Sequence, residues 1–161
     1  MATLDSIPIT TKITIPLGRG EFEERQFYAL PAFMNDLRNV VPALQTGRLA
    51  APLSPLQQLD DILHRWIIGK PMRYRRWLND LSPQDSETWE LKTADLRIFG
   101  WIYRPKIFVG AFIGYTDHYK RHGNQPAVES YGAARDRVVE IRNRLDLDEP
   151  KFATGVFDAL V

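Results

Sequence analysis

The run from Glu87 to Lys120, ETWELKTADLRIFGWIYRPKIFVGAFIGYTDHYK, constrains the fold more than any other part of the chain. Ile, Val, Phe, Tyr and Trp dominate it, and such residues fit the pleated, half-buried surface of a sheet. It divides into three expected strands, at 89–92, 96–103 and 107–115. Arg104-Pro105-Lys106 separates the second apolar run from the third. It reads as a hairpin loop, because proline cannot donate to a central ladder. Side chains alternate across a strand, so the faces of the hairpin can be sorted. With Ile102 set opposite Ile107, one face carries Leu96, Ile98, Ile102, Ile107, Val109, Ala111 and Ile113, and is expected on the core. The other carries Arg97, Phe99, Trp101, Tyr103, Phe108 and Phe112, and beyond them Thr116, His118 and Lys120. A shift of one residue would mix the two sets, which favours this pairing.

The flanks read as mostly helical. Thr11 to Ile15 alternates as a short strand does, and Leu17-Gly18-Arg19-Gly20 reads as a turn. Gln26 to Leu30 reads as a strand or as the start of a helix. Phe33, Leu37, Val40, Val41 and Leu44 recur at helical spacing after Pro31, which suits a first turn. A clearer helix opens at Ser54-Pro55, where Ser54 is an N-cap and Gln57 completes a capping box. Its stripe is Leu56, Leu59, Ile62, Leu63, Trp66 and Ile67, and Gly69 and Pro71 stop it. Met72 to Leu81 (MRYRRWLNDL) reads as a further short helix. Arg73, Arg75 and Arg76 alternate there with Tyr74 and Trp77. They form either a nucleic-acid surface, with charge for phosphates and rings for bases, or a solvated helix face with Trp77 and Leu81 buried. Beyond the sheet, Arg121 to Gln125 reads as a polar turn. Val128, Tyr131, Ala134, Val138, Ile141 and Leu145 then mark an amphipathic helix over 126–145. Phe152 to Val161 is apolar enough to pack back on the core.

The expected class is therefore α+β: a small antiparallel sheet, two or three preceding helices and a C-terminal helix, in one domain over 1–161. A length of 161 residues suffices for one real core. At 44% hydrophobic and 25% charged residues, disorder is not favoured. The absence of cysteine removes disulfides, thiolate metal sites and a thiol nucleophile, and is compatible with a cytoplasmic location. No apolar run approaches a membrane span and no secretory leader is evident, so no membrane partner is expected. A net charge of +1 means that any case for nucleic acid must rest on local clustering. His64, His118 and His122 share no metal-ligand motif, and neither a nucleophile elbow nor a phosphate-binding loop is present. No metal or other cofactor is expected.

What remains is a cluster of Lys92, Arg97, His118, Lys120 and Arg121, with Tyr115, Asp117 and Tyr119 nearby. Under the chosen register Arg97, His118 and Lys120 emerge on the aromatic face. A guanidinium grips a phosphate with two N–H groups and stabilises charge building on a phosphorane. An imidazole or lysine can move the proton of a ribose 2′-hydroxyl or of the leaving 5′-oxygen. Phe99, Trp101, Tyr103 and Phe112 can stack on bases. These are the parts of a metal-free ribonuclease. The alternative is that the aromatic face packs against a second layer, the N-terminal helices, and Arg97 is an edge residue paired with Asp95 or Asp117.

The order of these elements resembles the RelE/HigB-type toxins of bacterial toxin–antitoxin systems. The resemblance rests on Trp89-Glu90-Leu91-Lys92, on Leu96-Arg97-Ile98, on Gly114-Tyr115 running into Lys120-Arg121, and on a helix after a proline. It covers roughly Glu87 to Leu145, and two helices before the sheet agree with it. It implies a small RNA endonuclease that works without metal, in many members on the ribosome, and is blocked by an antitoxin. It implies that Arg97 contacts the scissile phosphate, that Lys92 is the basic residue preceding it, and that Lys120 and Arg121 are the basic pair after the last strand. His118 falls where some HigB-like members place a catalytic histidine. The resulting expectation has Arg97, His118 and Lys120 as catalytic groups, with Lys92, Arg121 and Trp101 holding substrate. The alternative expectation is a non-catalytic binding or structural module, of mobile-element or phage origin, on the same fold.

Overall fold

The computed structural model describes residues 2–161. The three expected strands are present as β4 (Trp89–Lys92), β5 (Leu96–Arg104) and β6 (Ile107–Tyr115). They form an antiparallel meander extended on both sides. Strand β2 (Gln26–Ala29) lies parallel to β6, and β1 (Thr11–Lys12) lies antiparallel to β2. Strand β3 (Leu78–Asp80) adds antiparallel to β4, giving a six-stranded sheet of order β1-β2-β6-β5-β4-β3. The class is α+β, with the sheet mixed rather than wholly antiparallel.

Helical segments cover both faces. Helix α1 (Pro31–Asn35) runs into a wider π turn, Asp36–Val40, and a 3-10 turn, Val41–Ala43, so the expected 31–44 segment is helical in three styles. Helix α2 (Pro55–Ile67) starts where the capping box requires. Ser54 Oγ accepts from the Gln57 amide at 3.2 Å, and the Gln57 side chain accepts from the Ser54 amide at 2.9 Å. Helix α3 (Tyr131–Arg144) starts five residues after Pro126, because Ser130 supplies the cap by accepting from the Ala133 amide. The last helix, α4 (Phe157–Leu160), returns to the core through Leu160. No helix among the described residues is long and apolar enough to cross a membrane.

The hairpin register differs from the expected one. Ile102 lies opposite Phe108, and Trp101 opposite Val109. At the hairpin end Tyr103 is an extra residue on β5, between the Arg104–Ile107 and Ile102–Phe108 pairs, and farther along a bulge leaves Ala111 as an extra residue on β6, between the Gly100–Gly110 and Phe99–Phe112 pairs. The faces of β5 are as sorted from the sequence, but β6 changes face at the bulge. Phe108 joins Leu96, Ile98 and Ile102 on the side of α1 and α2, with Phe27, Phe33, Leu59, Ile62 and Trp66. Val109 and Ala111 join Phe99, Trp101 and Phe112 on the side of α3, with Ala134, Val138 and Leu147. Phe27 stacks on Phe108 at a centroid distance of 5.4 Å, which rewards turning that ring inward.

The expected helix over 72–81 is absent. Arg75 N–H donates to the Leu78 carbonyl at 2.8 Å, closing a tight turn, and Leu78 then pairs with Leu91 at the sheet edge. Burying Leu78 against β4 outweighs the weak local preference for a helix.

Candidate functional site

Arg97 sits between Lys92 on β4 and Gly114 on β6. It is 7% exposed. Its Nη1 donates to the carbonyls of Thr93 (2.7 Å) and Leu96 (2.9 Å) and to Thr116 Oγ1 (3.0 Å). Its Nε lies 3.8 Å from Glu90 Oε2, and Glu90 is itself 3% exposed. Burial pushes the Glu90 carboxyl above its ordinary range, while Arg97 pulls it back. The counter-charge is therefore Glu90, not Asp95 or Asp117. Asp95 instead accepts from the Gly47 amide at 2.9 Å and from Gln58 Nε2 at 2.6 Å.

The bare aromatic face is overturned as well. Trp101 is fully buried on the α3 side of the sheet, so it cannot stack on a base as expected. Arg137 of α3 lies 4.0 Å over the Phe112 ring, closing the same face. The remaining expected residues stay closer to solvent. Lys92 is half-buried and donates from Nζ to the Arg75 carbonyl at 2.9 Å. Burial lowers its ammonium pKa, and Arg97 and Lys120 add repulsion. His118, Lys120 and Arg121 are exposed. His118 lies in a 3-10 turn, Thr116–His118, edge-on to Tyr115 at 5.4 Å. The fold thus groups Lys92, Lys120 and Arg97, but walls Arg97 off from any ligand.

An open basic face lies elsewhere, at the end of α2 and the turn after it. Arg65 stands 4.6 Å over the Trp77 ring and Arg76 5.2 Å from it. With Pro71 and Arg73 they line a shallow pocket of about 250 Å³. None of these three arginines has a carboxylate within 4.0 Å among the described residues. Arg65 Nε is out of water and has no acceptor. The run 62–79 holds five basic residues, Arg65, Lys70, Arg73, Arg75 and Arg76, and no acidic one. The same turn carries Tyr74 and Arg75 into a polar pocket of about 350 Å³, which Asn79 and Lys92 also line. The mixture of arginine and aromatic residues at 73–77 was readable in the sequence. The inclusion of Arg65 was not, since it comes from packing across Trp77.

Trp77 does not face a base here, because guanidinium groups already cover it. Its effect is to hold the Arg65 and Arg76 groups beside the pocket through cation–π contact. Each such contact is worth about 0.5–1 kcal/mol at an exposed site. Planar donors held in this way match the oxygens of a phosphate.

Fold and site together define an α+β protein with a sheet covered on both faces and a cationic patch beside one edge. Comparison with protein-family models, with curated proteins and with solved structures found no match to this chain.

Proposed function

We propose that this chain is a non-catalytic nucleic-acid-binding module that holds a phosphodiester backbone on Arg65, Arg73 and Arg76. The observation that carries the reading is three arginines lining one pocket, two of them over Trp77, with no carboxylate within 4.0 Å of any of them among the described residues. Like charges so close repel one another, and a bound polyanion relieves that repulsion. Arg75 and Lys92 line the neighbouring pocket together with Asp80, and Lys120 is near enough to Lys92 to repel it. RNA is the expected polyanion, on the strength of the resemblance to RelE/HigB-type toxins, and a cytoplasmic location belongs to the same proposal.

Fluorescence anisotropy with a labelled single-stranded RNA tests this reading. The triple variant Arg65→Ala, Arg73→Ala, Arg76→Ala should bind at least about tenfold more weakly. Losing three phosphate contacts should also flatten the plot of log affinity against log salt by about 2, at roughly 0.7 per contact. Unchanged affinity and slope would remove the patch from the reading.

A second reading is the antitoxin-inhibited, metal-independent endoribonuclease. It is supported by the order of β2, two helical segments and the β4–β6 meander, and by the exposure of His118, Lys120 and Arg121. Against it stands the burial of Arg97. Expression should then arrest growth, and the double variant His118→Ala, Lys120→Ala should relieve that arrest while melting as the parent does. A chain that does not slow growth counts for the binding module.

A further inference from the structure

A groove of about 690 Å³ lies between the segment Lys12–Pro16 and the exposed side of α2. Its floor is apolar, formed by Ile13, Ile15, Leu37 and Leu63. Its free charges are all of one sign. Lys12 is taken by Glu23 at 2.8 Å and His64 by Glu21 at 2.9 Å. Asp60 and Asp61 are exposed on the rim, with no cation within 4.0 Å among the described residues. The groove also runs beside the open margin of the sheet, because β1 is the terminal strand and no strand among the described residues pairs with its outer edge. Ile13 N–H is used inward, donating to the Phe27 carbonyl at 2.8 Å, whereas the next amide, that of Thr14, has no acceptor among the described residues.

We infer that this groove takes an extended segment of a partner protein in which apolar and basic side chains alternate, added as a strand along β1 and its continuation to Ile15. An unpaired edge offers main-chain donors and acceptors to an incoming strand. Alternation then sends one set of side chains to the apolar floor and the other toward solvent and the rim. The two carboxylates select for lysine or arginine in the rim set, and they repel a nucleic acid. The groove and the basic face therefore serve different partners, and this inference does not depend on the nucleic-acid reading.

The probe is a fluorescein-labelled peptide of alternating lysine and valine, with a glutamate–valine peptide as control, titrated against the full chain. The lysine peptide should bind and the glutamate peptide should not. The double variant Asp60→Lys, Asp61→Lys should weaken the lysine peptide at least tenfold and admit the glutamate peptide. Thr14→Pro removes the outward amide and should weaken binding while leaving the circular dichroism spectrum unchanged. Backbone NMR shifts on binding should fall at Lys12–Pro16 and at Asp60–His64. Equal binding of both peptides, binding of neither, or shifts centred on another surface would each overturn the inference.

Discussion

Replacing Arg97 with alanine should lower the melting temperature by on the order of 10 °C, not silence a surface. Breaking a buried ion pair by removing one partner costs about 3–5 kcal/mol, and each kcal/mol corresponds to about 2–4 °C in a chain of this size. The Arg97 guanidinium satisfies the carbonyls of Thr93 and Leu96 and the Thr116 hydroxyl. Without it, Glu90 keeps only a long bond from Asn79, at 3.4 Å, in a buried site. The double variant Glu90→Leu, Arg97→Met should recover most of the loss, since two apolar groups of similar volume leave no charge stranded.

The effect also has a pH signature. The Glu90 carboxyl titrates above the usual glutamate value of 4.5 because it is buried. The folded state therefore holds that proton more tightly than the unfolded chain does. Stability from this group is fully present below the unfolded value and is lost as pH rises through the higher folded one. Removing Arg97 takes away the attraction that limits this loss. The gap between the parent and Arg97→Ala should be smaller in acid, where only the bonds to Thr93, Leu96 and Thr116 are lost, and widen as pH climbs toward neutrality. Thermal melts across that range check it, and a variant that melts with the parent at neutral pH would refute the structural role.

Gly100→Ala should yield little or no folded protein. A Cβ there would lie 1.9 Å from the Val109 carbonyl oxygen and 2.8 Å from the Phe108 ring. The nearer obstacle is backbone, which cannot rotate away as a side chain can. The strands would have to separate where the bulge brings Gly100 opposite Gly110, in the middle of the sheet. Overpacking ordinarily costs about 1–3 kcal/mol, occasionally more, and this contact falls at the severe end. Gly132→Ala is the matched control. It lies on α3 with nothing nearer than 3.8 Å, and should stabilise the helix by about 0.5–1 kcal/mol. Soluble yield and urea midpoints of the two variants separate the effects. A Gly100→Ala protein as stable as the parent would contradict the register.

Much of the fold was legible from local pattern. Strands β4, β5 and β6 follow from the aromatic and β-branched run, and α2 follows from Ser54, Pro55 and Gln57 with the stripe behind them. The bulge was not legible. Its signal was the pair of glycines at 100 and 110, which a strict period-two reading passes over. The strand at 78–80 was hidden because Arg73 to Trp77 carries a weak helical pattern, and only the Leu91 partner selects the edge pairing.

Of the expected site residues, Arg97 and Trp101 are buried, whereas His118, Lys120 and Arg121 are exposed. Arg97, Trp101 and Lys92 were recognised as unusual, and the arginine–aromatic mixture at 73–77 as a possible interface. Alternation along β5 correctly grouped Phe99, Trp101 and Tyr103 on one side. That periodicity, written in the amino acids alone, states which side chains share a face. It carries nothing about what arrives to cover that face. Here the covering comes from α3 and from Leu4 and Ile7, which lie far from β5 along the chain. Folding also brings Glu90 of β4 and Thr116 beyond β6 to Arg97, which turns it from a candidate for phosphate chemistry into the counter-ion of Glu90, while Arg65, Arg73 and Arg76 are left without a carboxylate partner among the described residues.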